Sequence, residues 1–289
     1  MSLKINAINT IARRKIFETF ISPAFYIAVS IGFLLTCFLV KGFTGSIDSS
    51  GLNYTLNPMY EMIYKSLSGA FGDTFVINLF AEGPYNFSLF IAFVPFILYL
   101  SISSVYKFGL EKTSGWLELV TCGPSDGTSY FLASLVRNVF FTVLYALLLI
   151  LFDWFTSLVS NVVLHPSFFT ALAILCFLSL AVYAVGTLAS VITNNASAST
   201  ALFIGLLVFF ILIEISSFSI ISGYVRSFSA VLSWIIKWFS PVFYWHMGLS
   251  AIGFGNLLLY LVNILMLIVV TVMVLLLSHF ILKSKGVRV

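Results

Sequence analysis

Six stretches of mainly apolar residues recur along the chain, and each is long enough for a membrane-spanning helix. They cover residues 24–40, 87–106, 136–158, 168–192, 199–221 and 256–282. A hydrocarbon core of about 30 Å is crossed by about 20 helical residues. The runs are continuous rather than alternating, which disfavours a closed β-barrel. The pattern therefore predicts an all-α polytopic membrane protein in which residues 1–289 form a single transmembrane domain.

The stretch before the first span is amphipathic. Apolar residues recur every three or four positions, at Ile5, Ile8, Ala12, Ile16 and Phe20. The basic residues Lys4, Arg13, Arg14 and Lys15 lie mostly off that stripe. This pattern predicts an interfacial helix on the anionic cytoplasmic leaflet. The alternative is a helix that packs on the protein's own cytoplasmic face, and the two interpretations are compatible.

Residues 106–138 are unusually polar for this chain, of which only 8% is charged. The charges are Lys107, Glu111, Lys112, Glu118, Asp126 and Arg137. A short helix is predicted over 111–121. Gly123 and Pro124 would end it, and Ser125 or Asp126 could cap the next helix. The pattern favours a helix that docks on a cytoplasmic partner; the alternative is a helix that packs on this chain's own span ends.

Two further non-spanning segments are expected on the outer side. In residues 41–86, Asn57 and Pro58 suit a helix start, which predicts a short surface helix over 58–67. Residues 223–255 are rich in tryptophan and tyrosine, as is typical of a membrane interface. There we predict a helix over 225–238, a break at Ser240 and Pro241, and a return over 242–249. Together these form an outer re-entrant hairpin before the last span.

Composition and charge support this membrane topology. The chain is 61% hydrophobic with a mean hydropathy of +1.11, which excludes a soluble domain. Ten of its 14 lysines and arginines fall in the N-terminal segment, in 106–138 and in the C-terminal tail. The positive-inside rule makes that side cytoplasmic, so both termini are expected in the cytosol. This distribution accounts for the net charge of +4 without a nucleic-acid partner.

Candidate chemistry is sparse. The sequence lacks a phosphate-binding P-loop, an H-E-x-x-H zinc motif and a G-x-S-x-G nucleophile motif, so no catalytic or metal residue and no bound cofactor is predicted. The three cysteines are too widely spaced to indicate a disulfide or a metal site. Asp153 and Glu214 are the two carboxylates within predicted spans. Both fall near outer helix ends, where we expect interfacial carboxylates rather than an ion pathway.

The run 111–121, EKTSGWLELVT, followed by Pro124, resembles the E-K-x-x-G-T-L-E-L-L-L-T-x-P signature of ABC-2-type permeases. Three shorter matches are similar to the gliding-motility-type branch of that family. They are the Ser22–Tyr26 stretch before span 1, Thr193-Asn194-Asn195 between spans 4 and 5, and WHMGL at 245–249. Trp116 stands where the signature has Thr, and Cys122-Gly123 replaces a more polar pair.

The resemblance implies a permease subunit in a bacterial cytoplasmic (inner) membrane, in contact with membrane lipid and exporting an unidentified substrate. It implies a homo- or heterodimer with two cytoplasmic ABC ATPase subunits, on which ATP and Mg²⁺ would be bound. The implied coupling helix comprises Glu111, Lys112, Gly115, Trp116, Leu117, Glu118, Leu119, Thr121 and Pro124, and the N-terminal helix with Arg13, Arg14 and Lys15 would be the connecting helix. The implied outer gate comprises Pro241, Tyr244, Trp245 and His246.

Two other functions stay open at this point. The chain could be a stand-alone secondary carrier or channel, which would need ionisable groups near the midplane of the membrane. It could also be a non-transporting anchor that holds a motility or envelope complex at the membrane.

Overall fold

The computed structural model describes residues 2–44, 47–48, 51–52, 58–71, 73, 84–115, 127–221, 236–253 and 255–285. Among them lie nine α-helices: α1 Ser2–Ile21, α2 Pro23–Thr44, α3 Pro58–Phe71, α4 Pro84–Thr113, α5 Gly127–Ser160, α6 Ser167–Ile192, α7 Ala196–Ile221, α8 Pro241–Gly253 and α9 Leu257–Lys285. A 3-10 helix, Lys237–Phe239, precedes α8. The strands Ile47–Asp48 (β1) and Gly51–Leu52 (β2) pair in antiparallel fashion.

Six of these helices are long and apolar enough to cross a membrane: α2, α4, α5, α6, α7 and α9. The predicted helical fold with six spans is therefore confirmed, and the chain is a multi-pass membrane protein. The small β-hairpin was not predicted. Several helices extend beyond the predicted spans, because a helix keeps its backbone hydrogen bonds after the apolar run that crosses the bilayer has ended.

The end of α4 corrects one prediction. Glu111 was expected to begin a separate short helix, but Glu111 and Lys112 lie in the last turn of α4. The backbone N–H of Ser114 still donates to the carbonyl of Leu110, so the helical pattern is unbroken across this region. Nothing between 106 and 111 interrupts a helix, since the glycine at 109 is tolerated there. Gly115, with φ +72°, then ends the helix in the left-handed conformation.

Helix α6 lies at the centre of the bundle and packs on α4, α7, α8 and α9. About two thirds of the residues in its most apolar 18-residue stretch are buried, the largest share among the six spans. Small residues permit the close approach of its neighbours. A Cβ added to Gly186 would lie 2.7 Å from Val105 Cγ2 of α4. Helix α6 is therefore closely packed against α4 at this position.

Helix α1 packs along α5, and contacts between aromatic side chains stabilise the corner where α1 meets α2. Phe20 and Phe25 both contact Phe141 of α5, with ring centroids 5.0 and 5.1 Å apart. Ser22 lies between the two helices, and Pro23 begins α2. Phe17 and Ile21, by contrast, are largely exposed. One face of α1 thus packs on the protein itself, and its other face is open.

The region before the last span is described from residue 236 onward, so most of the predicted helix over 225–238 lies outside the described residues. The predicted break is present, since Ser240 is extended and Pro241 begins α8. The predicted return is helical and runs on to Gly253. Trp245 of α8 stacks on Phe90 of α4 with ring centroids 4.6 Å apart. The re-entrant path of this segment through a bilayer stays a prediction.

The contact between α4 and α7 at Gly109 can be tested by adding a single methyl group. A Cβ at this position would lie 2.5 Å from the Cα of Ala196, so the two backbones must separate. We expect Gly109→Ala to lower the free energy of unfolding by about 1–3 kcal/mol, measured by thermal denaturation in detergent.

Gly205→Ala in α7 is the matched control, because a Cβ there meets nothing within 4 Å. Alanine is the better helix former, so this control should be neutral or slightly stabilising. Equal melting temperatures for the two variants would contradict the packing described here.

Candidate functional site

Charged side chains from α1, α4 and α5 meet at one end of the bundle, and we call Arg14, Lys15, Glu18, Lys107, Glu111 and Arg137 the charged cluster. Residues 14, 15 and 18 share one side of α1, and residues 107 and 111 share one side of α4, because positions three or four apart lie on the same helix face. Lys15 Nζ lies 3.5 Å from Glu111 Oε2, and Lys107 Nζ lies 3.5 Å from Glu18 Oε2. Two ion pairs therefore join α1 to the end of α4.

Lys15 is the most enclosed lysine of this cluster. Its side chain is 12% exposed, and Nζ donates to the phenol oxygen of Tyr130 on α5. Burial lowers the pKa of Lys15 to about 8, an effect that Glu111 opposes and the charge of Arg137 reinforces. Because a buried amine depends on its partners for its charge, the position of Lys15 is coupled to Glu111.

Glu18 is shared between two cations. Besides its pair with Lys107, it accepts a hydrogen bond from Arg14 Nε at 2.8 Å. Partial burial raises the pKa of Glu18, but Arg14 and Lys107 outweigh that effect and leave the pKa below its usual value. The carboxylate therefore stays ionised and holds α4 against α1 across the neutral range of pH.

Arg137 fixes the position of α5 at the same junction. It is 3% exposed. Its Nε donates to Thr19 Oγ1 of α1 at 2.8 Å, and its Nη1 donates to Ser104 Oγ of α4 at 2.6 Å. The neighbouring Asn138 Nδ2 also donates to Ser104 Oγ, at 3.1 Å. One guanidinium thus joins three helices through neutral hydroxyl groups.

The end of α4 is also attached on its other side. Lys112 Nζ donates to the carbonyl of Thr193 at 2.8 Å and to Asn194 Oδ1 at 3.2 Å. These residues form the turn between α6 and α7. The same turn, Thr193-Asn194-Asn195, is one of the shorter stretches that resemble the permease family. The last turn of α4 is therefore bound to α1 and to the α6–α7 turn, and Gly115 directs the chain onward from this junction.

The structure places part of the predicted coupling set in this junction: Glu111, Lys112 and Gly115. The remainder lies outside the described residues: Trp116, Leu117, Glu118, Leu119, Thr121 and Pro124. Of the predicted basic residues of α1, Arg13 and Arg14 are exposed, whereas Lys15 is turned into the cluster. No role was predicted from the sequence for Thr19, Ser104, Tyr130 or Arg137. The polar pair Arg137-Asn138 at the start of an apolar run was the available signal.

A second polar group lies where α7 and α8 meet. His246 Nδ1 lies 2.8 Å from Glu214 Oε1, and both side chains are buried. Lys237 is also buried beside this pair; burial lowers the pKa of Lys237, while the charge of Glu214 opposes that shift. Tyr244 donates to the carbonyl of Trp238 at 2.7 Å. All four residues of the predicted outer gate (Pro241, Tyr244, Trp245 and His246) lie on α8 and are buried.

Asp153 and Glu214 do not match the interfacial carboxylates that were expected. Asp153 is 0% exposed and Glu214 is 1% exposed. Neither oxygen of Asp153 has a hydrogen-bond partner among the described residues. Position along a span predicts how deep a residue lies, but not which way it faces. Both side chains face the protein interior, which the periodicity of these uniformly apolar helices did not reveal.

Within the described part of the chain, no three His, Cys, Asp or Glu side chains come close enough to hold a metal ion. Comparisons with known proteins add no assignment: no protein-family model matches the chain, and no curated protein matches it. The charged cluster and the 111–124 segment are therefore the features of the chain that bear on its function.

Glu111 tests whether the charged cluster holds α4 in place. Replacing Glu111 with Gln removes the carboxylate beside the enclosed Lys15 amine and leaves Glu18 as the remaining acid that acts on that charge. We expect the free energy of unfolding to fall by about 1–3 kcal/mol, measured by chemical or thermal denaturation in detergent.

The matched control is Glu61→Gln in α3. Glu61 pairs with Lys65 one turn away, and the Lys65 side chain is 71% exposed. Exposed pairs of this kind contribute about 0.3–0.5 kcal/mol. Equal losses in the two variants would mean that the charged cluster is an ordinary solvated surface.

Proposed function

We propose that the chain is the membrane-spanning permease subunit of an ABC-2-type transporter, driven by a separate cytoplasmic ATPase and exporting an unidentified substrate. The observation that carries this proposal is the double attachment of the end of α4. Ion pairs bind it to α1, and Lys112 binds it to the α6–α7 turn. The segment that resembles a coupling helix continues from this attached end.

The proposal requires a way to receive work from outside the chain, since the sequence has no nucleotide-binding loop. Trp116, Leu117 and Leu119 supply apolar anchors for a groove on the ATPase, and Glu118 supplies a charged rim. Two ATPase subunits would bind ATP and Mg²⁺ and act on a homo- or heterodimer of permease subunits. The location that follows is a bacterial cytoplasmic membrane.

Helix α4 is suited to carry a displacement between the two polar sites. It has 30 residues, which corresponds to a length of about 45 Å at 1.5 Å per residue. One end forms the charged cluster. Near the other end, Phe90 stacks on Trp245 of α8, the helix that would cap the pathway as an outer gate. Movement of the coupling segment would therefore reach α8 through a single helix.

Helix α1 fits the role of the interfacial connecting helix. Its inner face is attached to α4 and α5 through the charged cluster and the aromatic corner. Its outer face presents Phe17 and Ile21, which are 65% and 64% exposed, together with the exposed Arg13 and Arg14. Apolar side chains beside arginines suit a boundary of acyl chains and anionic lipid head groups.

One specific observation supports a second candidate function, the stand-alone carrier. A stand-alone secondary carrier needs ionisable groups inside the membrane domain, and both Asp153 and Glu214 are buried there. A buried carboxylic acid such as Asp153, which has no hydrogen-bond partner among the described residues, is costly inside an apolar bundle and is a typical mark of ion pathways. The attached coupling segment has no role in such a carrier, so we place this function second.

Site-specific photo-cross-linking tests the first candidate at residue level. A photoreactive amino acid at Leu117, introduced in the native host, should cross-link to a cytoplasmic protein that carries a P-loop. The matched control is Leu158, an exposed leucine near the far end of α5, which should cross-link to lipid and not to an ATPase.

Two results would contradict the permease assignment. Cross-links from Leu117 solely to this chain would favour the packing of the segment on its own span ends. Ion-gradient-driven flux by the purified chain in liposomes, abolished in Asp153→Asn, would favour the carrier. Stable partner binding without any transport would instead indicate the membrane anchor.

A further inference from the structure

The carboxyl of Asp153 lies on the buried face of α5. Thr142, Ala146 and Leu149 precede it on that face, because positions four, seven and eleven residues apart fall on one side of a helix. All three side chains are buried, and Asp153 is fully buried. The carboxyl therefore continues a stripe that packs against the rest of the protein instead of facing lipid or water.

Aromatic side chains of α2 and α5 surround this part of the stripe. Phe152, the neighbour of Asp153 in the sequence, stacks on Phe33 of α2 with ring centroids 4.5 Å apart. Phe33 also stacks on Tyr145 of α5, at 6.3 Å. Because these rings pack between the two helices, α2 and α5 form an apolar contact beside the carboxyl.

The hydroxyl groups of this part of α5 donate to backbone carbonyls and not to the carboxyl. Tyr145 donates to the carbonyl of Ala92 on α4 at 2.8 Å. Thr156 Oγ1 donates to the backbone carbonyl of Asp153 at 3.0 Å. Both carboxyl oxygens of Asp153 are enclosed, and neither has a hydrogen-bond partner among the described residues. Nothing in that part of the chain replaces the water that an ionised carboxylate would lose.

The titratable groups within electrostatic range of this carboxyl are neutral at neutral pH. They are the thiol of Cys37 on α2 and the phenol of Tyr145 on α5. Helices α1, α4, α6 and α9 also contact α5. From the described residues of those helices, no charged side chain acts on Asp153.

The basic residues of α2 and α3 do not reach the carboxyl either. Lys41 of α2 is exposed, and Lys65 of α3 pairs with Glu61. The stretches 45–57 and 72–83, which flank α3 in the sequence, contain no lysine, arginine or histidine. Across the described ranges, no positive charge offsets an ionised carboxylate at position 153.

We propose that Asp153 is a proton-binding site, whose carboxyl holds one proton in the folded protein at neutral pH. An ionised carboxylate without a cation or hydrogen bonds is far more costly to bury than the neutral acid. Water reaches this carboxyl when the helices around it separate, so release of the proton is coupled to opening of the bundle at α5. The site is independent of the ATPase contact in the proposed function.

A bound metal cation is the competing way to neutralise this position. A cation would keep the carboxylate ionised and would be displaced by protons at low pH. A bound proton instead favours the folded state at low pH. The two occupants therefore give opposite dependences of stability on pH.

The test is the melting temperature of the purified full chain in detergent from about pH 5 to about pH 7, for the wild type and for Asp153→Asn. The unfolded chain loses the proton near the ordinary carboxyl pKa of about 4, whereas the folded chain keeps it. The folded state then binds more protons, so wild-type stability falls as pH rises. The asparagine variant lacks this loss, and its melting temperature relative to the wild type should rise by about 2–4 °C per pH unit.

Asp153→Leu gives a second reading, because the asparagine amide brings two donors of its own that could lower stability at every pH. Leucine is similar in size and needs no hydrogen-bond partner. This variant should melt above the wild type at neutral pH, and the difference should grow with pH as it does for asparagine.

Glu18→Gln is the matched control. Glu18 is ionised and paired with Arg14 and Lys107, which hold its pKa below the usual value. Its contribution to stability is therefore fully present above about pH 5 and is lost at lower pH. Glu18→Gln should melt below the wild type by a constant amount across the titrated range.

Infrared difference spectra of the wild type against Asp153→Asn at neutral pH should contain the C=O stretching band of a protonated carboxyl. A carboxylate band in its place would overturn the proposal. So would melting differences for both Asp153 variants that are independent of pH. Variants that lose stability relative to the wild type as pH rises would indicate a carboxylate with a bound cation.

Discussion

The arrangement of α1, α4 and α5 depends on one buried guanidinium. Arg137 is 3% exposed and spans three helices through Thr19 and Ser104. A buried cation is retained only where neighbouring groups are fixed around it, because the cost of leaving it without contacts is several kcal/mol. The hydroxyl on α1 and the hydroxyl on α4 must therefore stay opposite residue 137. This requirement sets the relative positions of the three helices at this end of the bundle.

The ion pairs around Arg137 are weaker individually but extend the same constraint to the end of α4. The pairs from Lys15 to Glu111 and from Lys107 to Glu18 are both 3.5 Å contacts; Lys15 is enclosed, whereas the other three side chains are partly exposed. Such pairs give modest stability but define which turn of α4 lies opposite which turn of α1. The end of α4 is thus held in a defined place, as a mechanical contact with a partner through the following residues would require.

The spans could be predicted from the sequence because their cause is local. Apolar side chains over about 20 residues are sufficient for a helix to cross a bilayer, whatever its neighbours are. The break before α8 also has a local cause, because Pro241 cannot continue a preceding helix. The extension of α4 past residue 106 was missed because charges were taken to mark the end of the helix, although a helix can leave the bilayer and continue.

The polar contacts could not be predicted, because each joins residues far apart in the sequence. Arg137 and Thr19 are 118 positions apart, and His246 is 32 positions from Glu214. Uniformly apolar helices give little periodicity, so the inward direction of Asp153 left no signal in the sequence. The segment at 111–124 that resembles a permease signature includes the last residues of α4, but the partners of Glu111 and Lys112 are visible only in the fold.

The most direct test of the central claim is the composition of the complex in the native host. The chain would be purified in mild detergent at its natural expression level, and the co-purifying proteins would be identified and counted by mass spectrometry. The permease assignment predicts a P-loop ATPase in equal number with the permease chains. A stable, monodisperse preparation of the chain alone would contradict the assignment and favour a self-sufficient carrier or channel.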